Sequence, residues 1–109
     1  MAAESKKILY GEISLKNEDF EKGENKHLIE LEYYKTQNTS NNLFNVENFG
    51  VEIKKKEYVG SRVEEETKCI ENVTRKEEVI NELIDTLKRN KVTPISLEEV
   101  VKDLFNVYI

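Results

Sequence analysis

Residues 92–105 constrain the fold most, because they carry nearly every signal that begins an amphipathic helix. Ser96 is placed as the N-cap, with Glu99 completing a capping box and Ile95 positioned to pack on Val100. The apolar residues then recur at helical spacing, as Val100, Val101, Leu104, Phe105 and Tyr108. The pattern predicts a helix whose single apolar stripe must pack against another element.

A second helix with the same kind of stripe is predicted just before it. Thr74 is expected to begin this helix, Glu77 takes the capping-box position, and Asn90 can end it. Acidic residues in its first turn and basic residues in its last turn suit the helix dipole. Its stripe consists of Val79, Ile80, Leu83, Ile84 and Leu87.

The first seventy residues show the alternation of apolar and polar side chains that is typical of strands. The four predicted strands are Ile8–Leu15, His27–Lys35, Phe49–Tyr58 and Arg62–Ile70. Polar loops are expected at Lys16–Lys26 and Thr36–Asn42. The apolar residues Leu43, Phe44 and Val46 are expected to fold back onto the domain.

Charge predicts how the third and fourth strands pair. A three-residue loop of Val59, Gly60 and Ser61 would place Lys56 opposite Glu64, Lys54 opposite Glu66 and Glu52 opposite Lys68. The same register would place Cys69 on the face of Val51. Cross-strand pairs of opposite charge add about 0.2–1 kcal/mol each. Lys54–Lys56 and Glu64–Glu66 are therefore interpreted as a ladder rather than as binding patches.

Four amphipathic strands followed by two amphipathic helices indicate an α+β domain. We expect a four-stranded antiparallel sheet with both C-terminal helices packed on one face, in the order ββββαα. Residues 1–7 are expected to form a flexible tail, and residues 8–109 a single domain. Pro94 requires a sharp turn between the helices.

Composition excludes several classes of function. The chain has 109 residues and a formal net charge of -5, which argues against binding to nucleic acid or to an anionic membrane surface. The single cysteine excludes an internal disulfide and a cysteine-rich zinc site, and so favours a reducing compartment such as the cytoplasm.

No arrangement of residues predicts catalysis. His27 is the only histidine and has no ligand-like or triad-like neighbours in sequence. Cys69 is interpreted as a small buried apolar residue. The paired glutamates fall at predicted helix starts or on the ladder strand. We therefore predict no catalytic, cofactor-binding or metal-binding residue, and a protein that is not an enzyme.

Three residues are candidates for protein binding. Tyr34 and Tyr58 have the parity opposite to the predicted core, and Arg62 would face Tyr58 in the charge-based register. Tyrosine and arginine exposed on a sheet are enriched at interfaces. The alternative is that these side chains only cover the polar face by packing across strands.

Two functions of different classes follow. The first is a non-catalytic binding or regulatory protein that engages another protein through the uncovered sheet face, or forms a homodimer. The second is a small-molecule sensor or minor enzyme, with a pocket between helices and sheet closed by the Leu43–Val46 segment.

The segment from Val92 to Phe105, with its Val-Thr-Pro-Ile-x-Leu-x-x-Val-Val-x-Asp-x-Phe pattern, resembles a family of small proteins of unknown function from clostridia and related Gram-positive bacteria. Phe49–Ile53 is similar to a Tyr-Gly-Ile-Glu-Ile strand of the same family. The resemblance spans roughly residues 49–106. It implies a bacterial cytoplasmic protein and no mechanism; the family often has histidine at the position of Ser96.

Overall fold

The computed structural model describes residues 4–16, 28–39 and 47–108 of the chain. Its four strands are β1 (Glu4–Lys16), β2 (Leu28–Thr39), β3 (Glu47–Val59) and β4 (Arg62–Thr74), followed by the helices α1 (Glu77–Arg89) and α2 (Pro94–Tyr108). The strands form one antiparallel sheet in the order β1-β2-β3-β4. The predicted α+β architecture is confirmed.

All four strands are longer than predicted. β1 begins at Glu4, so Glu4–Lys7 belong to the sheet rather than to a tail. β2 continues through Thr36–Thr39, which we expected to be a loop, because these polar residues pair with both β1 and β3. A polar segment between two partner strands keeps its backbone hydrogen bonds and remains in the sheet. The predicted positions of His27 and of Leu43, Phe44 and Val46 lie outside the described residues.

The predicted register between β3 and β4 is wrong by one residue. The hairpin turn contains two residues, Gly60 and Ser61, so that Val59 faces Arg62. Gly60 has φ 62°, as the first central residue of a type II′ turn requires. The turn geometry therefore determined the register, and the weak charge pairs followed it.

The corrected register changes the partners of the charged residues and the face of Cys69. Lys56 faces Glu65, and Lys55 faces Glu66, so opposite charges still meet across the two strands. Glu52 faces Cys69, which places the cysteine on the face opposite to Val51. Cys69 is also exposed rather than buried.

Both helices pack on one face of the sheet and enclose the core. The Tyr33 hydroxyl donates to the Val92 carbonyl oxygen at 2.9 Å, which attaches β2 to the connection between the helices. The Tyr10 hydroxyl donates to the Asn81 carbonyl oxygen at 3.3 Å, which attaches β1 to α1. The fully buried side chains of the core include Leu31, Tyr33, Val51, Ile53, Ile80, Leu83, Ile84, Leu87 and Leu97. Four residues of the predicted apolar stripe of α1 are thus confirmed as buried: Ile80, Leu83, Ile84 and Leu87.

One charged side chain lies between the sheet and α1. Lys35 of β2 is buried, and its Nζ atom lies 2.7 Å from Glu77 Oε2 and 3.2 Å from Asn81 Oδ1. Both partners belong to the first turns of α1. A buried ammonium group needs such partners, because its removal from water is otherwise costly.

Both predicted helix starts are wrong. The N-cap of α1 is Lys76, without a side-chain cap; Thr74 ends β4, and its Oγ1 atom accepts a hydrogen bond from the Lys76 N–H at 3.1 Å. α2 begins at Pro94, two residues before the predicted cap Ser96. The fixed φ of proline and its missing N–H suit the first helical position. Ile95 is 86% exposed and forms no staple. The side chains of Phe105 and Tyr108 lie outside the described part of the chain.

The end of α1 at Asn90 is confirmed, and it forms a Schellman motif. The Val92 N–H donates to the Leu87 carbonyl oxygen and the Lys91 N–H to the Lys88 carbonyl oxygen. Lys91 has φ 54°, the left-handed conformation that glycine adopts most readily.

We expect Lys91→Gly to stabilise the protein by about 1 kcal/mol, because glycine relieves the left-handed strain at this position. Urea denaturation measures the change. Lys91→Ala is the control, since it removes the charge and keeps the side-chain carbon that causes the strain. Equal stability of the two variants would contradict the argument.

Gly50 lies where β4 departs from regular pairing. Phe49 faces Thr74 and Val51 faces Ile70, so three residues of β4 lie opposite one residue of β3. Asn72, within this bulge, has φ 56°. The bulge brings β4 backbone close to Gly50: a Cβ atom there would lie 2.4 Å from the Ile70 carbonyl oxygen.

Candidate protein-binding face

The face of the sheet opposite to the helices is called the uncovered face here. Strand alternation and the observed register assign its residues. Its described members on β1 and β2 include Lys7, Leu9, Glu12, Ser14, Leu28, Glu30, Glu32, Tyr34 and Thr36. Those on β3 and β4 include Gly50, Glu52, Lys54, Lys56, Tyr58, Val63, Glu65, Thr67 and Cys69. β1 contributes odd positions before its bulge at Tyr10 and even positions after it.

Tyr34 and Tyr58 both lie on the uncovered face, at its two ends. Tyr34 faces Glu52, and Tyr58 is six residues further along β3, so about 20 Å separates the two positions. The Tyr34 hydroxyl donates to Glu32 Oε1 at 2.9 Å, and the Tyr58 hydroxyl donates to Glu30 Oε1. Each ring is thus held along the sheet by a glutamate of β2.

The pKa of both tyrosines is raised above the ordinary value of a phenol. Burial, followed by the hydrogen bond to Glu32 and nearby carboxylates, raises the pKa of Tyr34. The hydrogen bond to Glu30, followed by desolvation, raises the pKa of Tyr58. A raised pKa does not prepare either phenol for proton transfer near neutral pH.

Arg62 does not belong with the tyrosines. It faces Val59 rather than Tyr58, because the turn is one residue shorter than predicted. Its alternation places it on the other face of the sheet, where its guanidinium lies 3.7 Å from Glu64 Oε1 with 72% of the side chain exposed. The uncovered face brings together two of the three candidate residues.

An apolar row near the hairpin end was not predicted. Leu28 faces Tyr58 on β3, and Tyr58 faces Val63 on β4, so three side chains of adjacent strands form a row across the uncovered face. Leu28 is 37% exposed and Val63 is 52% exposed. The register predicted from charge places Val63 on the opposite face, so the sequence alone does not predict this row.

The other end of the face combines an apolar residue, an aromatic ring and a cation. Leu9 faces Tyr34 and is 48% exposed. The Lys7 Nζ atom lies 4.7 Å from the centroid of the Tyr34 ring and 3.0 Å from Glu52 Oε2. A cation over an aromatic face is attracted by the ring quadrupole, which helps to fix both side chains.

Carboxylates occupy the middle of the uncovered face. Glu12 on β1 directly faces Glu32 on β2. Like charges opposite each other destabilise a sheet, so this pair departs from the pattern that favours folding. Lys54 on β3 faces Glu32 from the other side, so a cation of the sheet itself offsets part of this repulsion.

The chemistry of the remaining candidates is limited. Partial burial of the thiol, followed by the charges of Glu52 and Glu71, raises the pKa of Cys69. The reactive thiolate is therefore disfavoured. Within residues 4–16, 28–39 and 47–108, no group of three or more His, Cys, Asp or Glu side chains could hold a metal ion. His27 lies outside these ranges.

A shallow cleft lies between the edge strand β4 and α2. Its volume is about 420 Å³, and its walls come from Lys68, Cys69, Ile70, Glu71, Glu98, Val101 and Lys102. The pocket of the alternative function was expected between the helices and the sheet, and its closing segment, Leu43–Val46, lies outside the described residues. Neither helix in the described part of the chain is long and apolar enough to cross a bilayer.

The fold and the uncovered face define a small α+β protein with a four-stranded meander and two C-terminal helices. Residues 12–107 match the DUF6514 family, and the chain belongs to this family of unknown function. The match extends well before residue 49, where the resemblance found in the sequence began. Searches of curated proteins and of solved structures find no match to the chain.

Proposed function

We propose that this protein is a non-catalytic binding or regulatory module, and that its uncovered face binds another protein. The observation that carries the proposal is the apolar row in which half-buried Tyr58 lies between exposed Leu28 and Val63. A second apolar group on the same face pairs exposed Leu9 with half-buried Tyr34. Exposed apolar and aromatic residues with a polar surround are typical of binding surfaces.

The charges of the face indicate the chemistry of the partner. Glu12 and Glu32 face each other between the two apolar groups. Glu32 also faces Lys54 of β3, whereas Glu12 lies on the edge strand β1 with no lysine opposite it. A partner with apolar side chains at the two ends and a lysine or arginine between them would complement this surface. Such complementarity favours association and selects against other partners.

Two neighbouring residues of β1 provide a matched test. Leu9 is 48% exposed and Ile8 is 46% exposed, but they point to opposite faces of the sheet. We expect Leu9→Lys to weaken binding of a protein captured from a native lysate at least tenfold, as removal of an interface anchor does, and Ile8→Lys to leave it unchanged. Titration of the captured protein against each variant measures the affinity.

Equal loss in both variants would contradict the proposal, because binding would then not depend on the face. Retention of full affinity by both Leu9→Lys and Tyr58→Ala would also contradict it. Thermal unfolding of each variant shows whether the fold is preserved, so that a general loss of structure is recognised.

The second candidate is a small-molecule sensor or minor enzyme, and the cleft between β4 and α2 favours it. Lys68 and Lys102 lie on either side of Glu98 there, with their Nζ atoms 3.6 and 3.7 Å from its carboxylate, and Glu71 adds a second carboxylate. A ligand that binds only the folded state raises the melting temperature, so a thermal-shift screen against metabolites tests this function. A shift that Lys102→Ala abolishes would favour the sensor over the binding module.

The working compartment is also a proposal. The single free cysteine supports a reducing environment, and the resemblance to clostridial proteins supports a bacterial cytoplasm.

A further inference from the structure

The outer edge of β4 is the most accessible part of the sheet. β4 is at one end of the strand order, and every residue from Arg62 to Cys69 is exposed. Residues 62–70 pair with β3 one to one, without irregularity. An edge strand presents a row of backbone N–H and C=O groups that another strand can pair with. The opposite edge is β1, which a bulge at Tyr10 interrupts.

The backbone limits how β4 can pair with a second copy of itself. Only alternate residues of an edge strand direct their N–H and C=O groups outward, so paired residues must have the same parity. In an antiparallel pair related by two-fold symmetry, one residue therefore faces its own copy. The choice of that residue sets which charges meet.

The charges of β4 favour one of these registers. If Thr67 faces its own copy, Glu66 of each chain faces Lys68 of the other, which gives two pairs of opposite charge and no pair of like charge. If Glu65 or Glu66 faces its own copy, like charges meet at the centre. If Lys68 is central, two ammonium groups meet, and Glu65 also faces Glu71. Charge thus supports one register and opposes its neighbours.

The cleft is compatible with the same register. With Thr67 at the centre, Glu64 of the second copy lies opposite Ile70, which together with Lys102 lines the cleft. The Lys102 side chain is 74% exposed, and its Nζ atom lies 3.7 Å from Glu98 Oε1 of the same helix. Glu64 of the second copy would add a further carboxylate near Lys102, and so a second cation–carboxylate pair on each side of the contact.

We propose that the chain forms a homodimer by antiparallel pairing of its two β4 edges, with Thr67 on the two-fold axis, so that the two sheets join into one of eight strands. This inference concerns the β4 edge and does not rest on the proposed function of the uncovered face.

Cysteine cross-linking tests the register directly. In a Cys69→Ser background, Thr67→Cys places two thiols opposite each other at a Cα separation within the range of a disulfide, and mild oxidation is expected to give a covalent dimer. The wild-type Cys69 lies about 13 Å from its copy in this register and should not cross-link. Glu65→Cys in the same background is the matched control and should also remain monomeric on a denaturing gel.

Charge exchange tests the contact without a cross-link. Glu66→Lys and Lys68→Glu each bring like charges together at two sites of the contact, and Lys68→Glu also removes the ion pair between Lys68 and Glu98 within each chain. We expect each variant to raise the dimer dissociation constant about tenfold. The combined variant restores opposite charges and should recover the affinity of the wild type. Sedimentation equilibrium over a wide concentration range measures all four constants.

Three results would overturn the proposal. They are a strictly monomeric wild type at high concentration, cross-linking of Glu65→Cys or Cys69 as efficient as that of Thr67→Cys, and a combined charge variant as weak as the single ones. Each outcome leaves the binding of a captured protein to Leu9→Lys and Ile8→Lys unaffected, so the two proposals fail separately.

Discussion

Replacing Gly50 with alanine is expected to destabilise the protein by about 3 kcal/mol, in the upper range for overpacking of a closed site. A Cβ atom at this position would lie 2.4 Å from the Ile70 carbonyl oxygen and 2.6 Å from Thr36 Oγ1. The Cα atom of Glu71 would be 2.9 Å away. Two of the three obstacles are backbone atoms of β4, and Ile70 cannot move without disturbing its pairing with Val51.

Gly11→Ala is the matched control for this prediction. The three atoms nearest to a Cβ atom at Gly11 all belong to the side chain of Lys88, with Nζ 3.0 Å away. This flexible side chain can rotate away, so we expect a change of less than about 0.5 kcal/mol. Urea denaturation of both variants measures the difference. Similar stability of the two variants would show that β4 does not approach Gly50 as closely as described.

The second large effect is expected at the start of α2. Leu97 is fully buried, and Leu97→Ala should destabilise the protein by about 2–5 kcal/mol, through lost apolar contacts and the cavity left behind. Ile95 is 86% exposed, so Ile95→Ala should change the stability by less than about 0.5 kcal/mol. The two residues are only two positions apart, yet their expected effects differ severalfold.

This comparison distinguishes the observed helix start from the predicted one. If Ser96 were the cap and Ile95 packed on Val100, loss of the Ile95 side chain would have a clear cost. Thermal unfolding of both variants gives the ranking, and a larger effect at Ile95 than at Leu97 would contradict the observed start at Pro94.

The architecture could be predicted from the sequence because it depends on side-chain periodicity. The alternation in β2 and β3 and the helical spacing in α1 each required a buried face. The sheet with two helices on one side satisfies all of them. The register of β4 could not be predicted in the same way. The residues from Arg62 to Cys69 are all exposed, so neither face of this part of β4 requires apolar side chains. The sequence therefore shows no alternation that would assign its residues to one face or the other.

The helix starts were mispredicted for a related reason. Capping residues such as Ser96 and Thr74 are good candidates by type, but the sheet and the proline determined where the chain could turn. Thr74 remains paired with Phe49 in the sheet, and Pro94 is itself the first residue of α2. Local signals were outweighed by backbone pairing and by the fixed φ of proline.

The candidate face was predicted in part. Tyr34 and Tyr58 were assigned to the uncovered face from their parity on β2 and β3, where the core pattern is clear. The predicted position of Arg62 depended on the register of β4, and it is wrong because that register is wrong by one residue. Val63 was missed for the same reason, since an error of one residue exchanges the two faces of a strand.

Lys35 gives the sheet a reference point that apolar residues alone do not supply. Leucine and isoleucine tolerate small displacements within a core, whereas an ammonium group held by Glu77 and Asn81 has one acceptable location. A shift of β2 by one position would bring Tyr34 beneath α1 and would leave Glu77 and Asn81 without the Lys35 ammonium group. The buried Lys35 thus aligns the polar end of β2 with α1. It thereby determines which aromatic rings lie on the uncovered face.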